Sequence, residues 1–121
     1  MSDPIEVGAR AAAQRLAPEH GGPRLIADVE AALYTRDNSA PPAQYLDPLE
    51  LGIFIVAIAT LVWTVYRDLR TKTDKPSTEL VTRSVQVQLR ETYSTEFAKH
   101  ERAATITIQE TLNAARADEP E

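Results

Sequence analysis

The feature that most constrains this chain is a central apolar run, DPLELGIFIVAIATLVWTVYRDLRT at residues 47–71. The segment from Leu49 to Tyr66 carries a single charge, Glu50, at its start. A helix of this length covers roughly 27 Å, close to the ~30 Å hydrocarbon thickness of a bilayer. A helix that is apolar on nearly all sides must also be surrounded by apolar material. The run therefore predicts either a transmembrane helix or the core helix of a small bundle.

The start of this helix is marked by capping residues. Asp47 suits the N-cap, Pro48 the first helical position and Glu50 the third, which together resemble a capping box. These residues predict a helix over 47–71 with Asp47 and Glu50 as its cap.

Residues at the end of the run are typical of a membrane interface. Trp63 and Tyr66 stand where an aromatic belt would lie, and Arg67 and Arg70 follow them directly. We therefore expect these four residues to be interface anchors. The positive-inside rule then predicts an inner (plasma) membrane protein with a cytoplasmic C-terminus. The alternative location is the cytoplasm, with the helix buried in a soluble assembly.

The central helix is not uniformly apolar. At ~100° per residue, Ala57, Thr60, Thr64 and Asp68 share one sector with Glu50, and we call the first four the seam. Small and hydroxyl residues let helices approach closely, so the seam predicts self-association or docking of another helix. One alternative is a pore lining with Glu50 and Asp68 as ring charges. Another is no special role, because threonines in apolar helices usually bond to their own backbone.

The N-terminal region, residues 1–46, has weaker helical signals. The Ala-rich stretch 4–16 and the apolar spacing over 23–35 each predict a short helix. The Pro-containing stretch 36–44 is typical of a linker.

The C-terminal region allows two secondary structures. Apolar residues recurring every four positions favour helices over 77–93 and 96–117, arranged as a hairpin. Alternation at 84–89 and 104–108 would instead suit two strands. We favour the helices because a two-stranded hairpin packed on nothing is marginal.

No pattern in the chain indicates catalysis. The sequence contains no cysteine, so disulfides and thiolate sites are excluded. The net charge of -5 argues against nucleic-acid binding. His20 and His100 are the only histidines, and no ligand spacing accompanies them. We expect no enzyme activity, cofactor or metal.

Three short patterns carry a resemblance to a protein class. They are Asp47-Pro48, the group Trp63-Thr64-Val65-Tyr66, and Asp68-Leu69-Arg70. Residues 46–72 resemble the membrane-helix region of small actinobacterial-type single-pass membrane proteins, some of which accompany conflict or defence signalling genes. The resemblance implies a membrane anchor or effector in a bacterial signalling or defence system.

The sequence thus predicts an all-α chain with one long apolar helix. The first hypothesis is a non-enzymatic single-pass membrane protein that self-associates through the seam and contacts the bilayer. Its C-terminal part would bind a cytoplasmic protein. The second hypothesis is a soluble homo-oligomeric scaffold or adaptor with the helix buried in the assembly. The expected regions are 1–46, the helix at 47–71, the amphipathic helical region 76–117 and a disordered tail at 118–121.

Overall fold

The computed structural model describes residues 3–37, 51–73 and 76–117, and every regular element in these ranges is a helix. The prediction of an all-α chain is confirmed for these residues. The elements are α1 (Pro4–Leu16), α2 (Pro23–Asp37), α3 (Leu51–Arg70), α4 (Thr78–Thr92), α5 (Ser94–Lys99) and α6 (Glu101–Ala117).

The strand alternative for the C-terminal region is wrong, since residues 84–89 lie in α4 and 104–108 lie in α6. In α4, the four-residue spacing of Val81, Val85 and Leu89 forms one fully buried stripe. In α6, Ile106 and Ile108 are both buried because this helix contacts α1 as well as α3. Burial on two sides explains the strand-like alternation at 104–108, whereas in the stretch 84–89 the alternating Val87 is exposed.

Local signals account for where several helices begin. The Asp3 carboxylate accepts a hydrogen bond from the Ile5 N–H at 2.9 Å and caps α1. Ser77 caps α4 in the same manner. Between α1 and α2 the chain turns through Gly21 and Gly22, whose φ angles of 98° and 58° are readily available only to glycine.

α3 lies at the centre of the bundle and contacts α1, α2, α4 and α6. Ile55 and Ala59 face a core half shared with α1 and α2. Phe54, Ile58 and Val62 face a second half shared with α4, α5 and α6. Within the described ranges, α3 is the one helix long and apolar enough to cross a membrane. The core helices of soluble proteins can have the same length and apolar composition.

The first and last helices pack directly on each other. α1 and α6 form the most extensive helix–helix contact of the fold. Two ion pairs extend this contact: Arg102 Nε lies 2.8 Å from Glu19 Oε1, and Arg15 Nη1 lies 2.8 Å from Glu110 Oε2. The segments before and after α3 therefore lie side by side along it.

The helix bounds differ from expectation at three places. α2 continues through Asp37, into the stretch predicted as a linker. The helix predicted over 96–117 is divided at His100 into α5 and α6. The predicted caps Asp47 and Glu50 lie outside the described residues.

Candidate functional site

The seam is the side of α3 that the other described helices leave open. Thr64 and Asp68 are exposed, and Ala57 and Thr60 are partly exposed. Ala59 is fully buried elsewhere on the same helix. The contacts of α3 with four neighbours thus cover its most apolar sides and stop short of the seam.

A groove runs along the seam on the side of α4. It has a volume of about 280 Å³ and is open to solvent. α3 supplies its floor, and the end of α4 with the following residue supplies its wall. Its lining residues are Ala57, Thr60, Leu61, Thr64, Gln88, Thr92 and Tyr93.

The two threonine hydroxyls of the seam bond within α3. Thr60 Oγ1 donates to the Val56 carbonyl at 2.8 Å, and Thr64 Oγ1 donates to the Thr60 carbonyl at 2.9 Å. Both hydroxyl protons are therefore used inside the helix, as often happens for threonine in apolar helices. The remaining surface is small and largely apolar, which favours close packing of another helix.

α4 also exposes two large apolar side chains outside the groove. Leu80 is 42% exposed and Val87 is 46% exposed. They stand seven residues apart and so lie on one side of α4. Neither residue lines the groove, and isolated exposed apolar residues of this kind are common on protein surfaces.

Three of the four residues predicted as interface anchors contact one another at the end of α3. Tyr66 is 1% exposed and stacks on Trp63 with ring centroids 6.1 Å apart. The Arg67 guanidinium lies 5.8 Å from the centre of the Trp63 ring, at cation–π distance. Arg70 is in the last turn of α3. In this fold, Tyr66 belongs to the core rather than to an outward-facing belt.

Two glycines mark close helix crossings, at Gly8 of α1 and at Gly52 of α3. A Cβ added at Gly52 would lie 2.7 Å from Asp28 Cβ of α2. A Cβ added at Gly8 would lie 2.6 Å from Thr111 Cα of α6. Only glycine allows the backbones to approach so closely, and a lone glycine inside a helical pattern was the available signal.

The two histidines lie near each other although 80 positions separate them in sequence. Burial, the charge on His20 and the charge on Lys99 lower the pKa of His100, and Glu96 opposes the shift. Among the residues that the structure describes, no group of three or more metal-binding side chains is found.

The comparisons with known proteins do not add a family to this description. No protein-family model, curated protein or solved structure matches the chain. The open groove between α3 and α4 is therefore the main structural indication of a binding surface.

Proposed function

We propose that this protein is a helical adaptor that associates with a second copy of itself through the seam and the adjoining face of α4. The observation that carries the proposal is that the seam coincides with the open side of an otherwise enclosed α3. The exposed part of α4 belongs to the region 76–117, which is also the proposed surface for a protein partner.

The arrangement of the seam suits a two-fold symmetric contact. In an antiparallel pair of α3 helices related by an axis between Thr60 and Leu61, Ala57 of each copy meets Thr64 of the other. A two-fold symmetric (isologous) interface requires this reciprocity. If one residue of the first copy contacts a second residue of the partner copy, the second residue of the first copy contacts the first residue of the partner copy. Alanine opposite threonine also lets the helix axes come close.

The packing of α1 on α6 supports a role for the folded bundle as a unit. With the N-terminal part outside a membrane and the C-terminal part in the cytoplasm, the Glu19–Arg102 and Arg15–Glu110 ion pairs could not form. Tyr66 and the side of α3 that carries Phe54 would also lose the helices that bury them. The proposed setting is therefore a soluble assembly.

A second candidate function is the single-pass membrane anchor or effector. Its supporting observation is the length and apolar character of α3. This function requires α1 and α6 to separate, so that the bilayer replaces their contacts with α3. The two candidates thus predict different partners for the same helix.

Sedimentation velocity of protein purified without detergent tests the adaptor. Thr64→Arg places a long cation in the open groove, and we expect it to weaken self-association at least about tenfold. Thr105→Arg is the matched control, because Thr105 is an exposed helical position on α6. It should sediment as the wild type does.

Two results would overturn the adaptor proposal. One is a wild type that stays monomeric across the concentration range. The other is equal association of the Thr64→Arg and Thr105→Arg variants. Retention of the wild type in membranes after an alkaline wash would instead support the membrane anchor.

A further inference from the structure

The segment around α5 is held by two hinge residues that contact one ring. Tyr93 precedes α5 and His100 follows it, with φ and ψ of -129° and 49°, and of -127° and 42°, respectively. Both conformations are non-helical, so each residue breaks the path of the chain. α5 is therefore a six-residue helix between two matching breaks.

Both hinge side chains pack on Phe54 of α3, which is fully buried. The Tyr93 ring meets it edge-on with centroids 5.8 Å apart. The His100 ring lies 6.2 Å away at a tilt of 49°. Removing either contact would uncover part of the Phe54 ring.

The middle of α5 is attached through a single buried side chain. Phe97 is its one buried residue, and the Arg90 guanidinium lies 5.2 Å from the centre of the Phe97 ring. A helix this short has little stability of its own. The position of α5 therefore depends on Phe97 and on the hinge contacts with Phe54.

The surroundings of His100 oppose a positive charge on its ring. Burial disfavours the imidazolium most, His20 from the α1–α2 turn and Lys99 from α5 add to this effect, and Glu96 opposes it. Beside His20, the Glu19 carboxylate lies 4.0 Å from His20 Nε2 but is engaged by Arg102 of α6.

Phe54 offers little compensation for such a charge. The 6.2 Å separation of the His100 and Phe54 rings is at the outer limit of the ~6 Å range in which a ring attracts a cation. An imidazolium at this position would therefore gain more from water than from Phe54.

We propose that residues 93–100 form an acid-released clamp over Phe54. Neutral His100 packs on the ring and holds α5 closed. Protonated His100 leaves the ring for water, and α5 opens at its two hinges. Because Tyr93 also lines the groove between α3 and α4, opening changes one wall of that groove.

The sign of the pH effect follows from the lowered pKa of His100. Neutral His100 contributes fully to the stability of the closed state above its ordinary pKa of 6.5. This contribution is lost as the pH falls through the lower pKa of His100 in the folded state. The clamp therefore opens on acidification.

Hydrogen–deuterium exchange of the full chain tests the clamp, with rates corrected for the intrinsic effect of pH. For the wild type, we expect protection of the α5 amides to fall severalfold between about pH 8 and about pH 5. Residues 104–112 of α6 should stay protected at both values, which shows that the opening is local. His100→Phe keeps a ring on Phe54 without a titrating group, and its α5 protection should not fall.

A second variant keeps the test decisive if His100→Phe does not fold. His20→Gln removes the neighbouring cation, so the drop in α5 protection should become smaller than in the wild type. The clamp would be overturned by equal wild-type protection at both pH values. It would also be overturned by an unchanged drop in His100→Phe or, where that variant is unfolded, in His20→Gln. This test reads only α5 and is independent of self-association.

Discussion

Gly8 of α1 lies directly against Thr111 of α6, at a distance that leaves no room for a side chain at position 8. A Cβ at Gly8 would come within 2.6 Å of Thr111 Cα and 2.8 Å of Thr111 Cβ. These two residues set the closest approach between the first and last helices, which share the largest contact in the bundle.

Gly8→Ala should destabilise the fold despite improving helix propensity. Alanine is favoured over glycine in a helix by about 1 kcal/mol, but overpacking a close backbone contact costs typically 1–3 kcal/mol. We expect a net loss of about 1 kcal/mol in the free energy of unfolding, measured by urea denaturation. Val7→Ala, at the neighbouring exposed position, should change stability far less. A stabilised Gly8→Ala would show that α1 and α6 do not meet here.

Gly52→Ala tests the crossing of α2 and α3. The new Cβ would lie 2.7 Å from Asp28 Cβ and 2.9 Å from the Asp28 carbonyl carbon. Backbone atoms cannot move as a side chain can, so overpacking costs typically 1–3 kcal/mol, and the better helix propensity of alanine offsets about 1 kcal/mol of it. We expect a net loss of about 1 kcal/mol in the free energy of unfolding, measured by urea denaturation. A helix that crossed a bilayer without α2 beside it would tolerate this alanine, so an unchanged stability would argue for the membrane anchor.

Two buried threonines on α6 form a matched pair. Both are fully buried, and Thr107 Oγ1 donates to the Ala103 carbonyl at 2.8 Å. Thr111 Oγ1 has no hydrogen-bond partner among the described residues. An unsatisfied buried hydroxyl costs about 1–3 kcal/mol, so Thr111→Val should stabilise the protein by about 1 kcal/mol.

Thr107→Val provides the comparison in the same thermal or urea denaturation experiment. It removes a satisfied hydroxyl and should be neutral or destabilising. If both valine variants shift stability equally, the two hydroxyl environments do not differ as described.

The ion pair between Arg10 of α1 and Glu30 of α2 should make the stability of the fold slightly sensitive to acid. Arg10 makes two bonds to Glu30, Nε to Oε2 at 2.6 Å and Nη2 to Oε1 at 3.0 Å. The hydrogen bond from Arg10 lowers the pKa of Glu30. The stabilisation is therefore present above the ordinary value of 4.5 and is lost as the pH falls through the lower folded-state pKa.

Arg10→Met should reduce the loss of stability between about pH 6 and about pH 3. Because both side chains are about half exposed, we expect an effect below about 1 kcal/mol that high salt diminishes further. An acid response identical to that of the wild type, measured by urea denaturation at each pH, would mean that the pair contributes nothing.

Much of the helical layout could be predicted because local signals were strong. The apolar run, the Ala-rich stretch at 4–16 and the four-residue spacing of Val81, Val85 and Leu89 all correspond to observed helices. Each of these signals lies within one segment, as helix propensity or hydrophobic periodicity, and can be read from the sequence alone.

The side of α3 carrying the seam was also predictable, but its relation to the rest of the chain was not. Ala57, Thr60 and Thr64 share a sector because of helix geometry alone. That α1, α2, α4 and α6 together cover the other sides depends on contacts between distant segments, which hydrophobic periodicity does not reveal. The apolar run by itself is therefore compatible both with a bilayer span and with the core helix of a bundle.

The close crossings and the break at His100 escaped prediction for a related reason. Gly8 and Gly52 have ordinary helical surroundings in sequence, and only the approach of Thr111 and Asp28 gives them a role. His100 lies in a stretch rich in helix formers, and its non-helical conformation accompanies the packing on Phe54. In each case tertiary contact overrides local propensity.

The most direct test of the folded bundle is chemical crosslinking of residues 19 and 102 in intact cells. The chain has no cysteine, so Glu19→Cys and Arg102→Cys introduce the only two thiols. The ion pair between these side chains places them close together, and a short bis-maleimide should join them within one chain. Matched single-cysteine variants should give no intramolecular product. Efficient crosslinking in the soluble fraction is the expected result. Labelling of residue 19 alone by a membrane-impermeant maleimide, with no crosslink to residue 102, would contradict it.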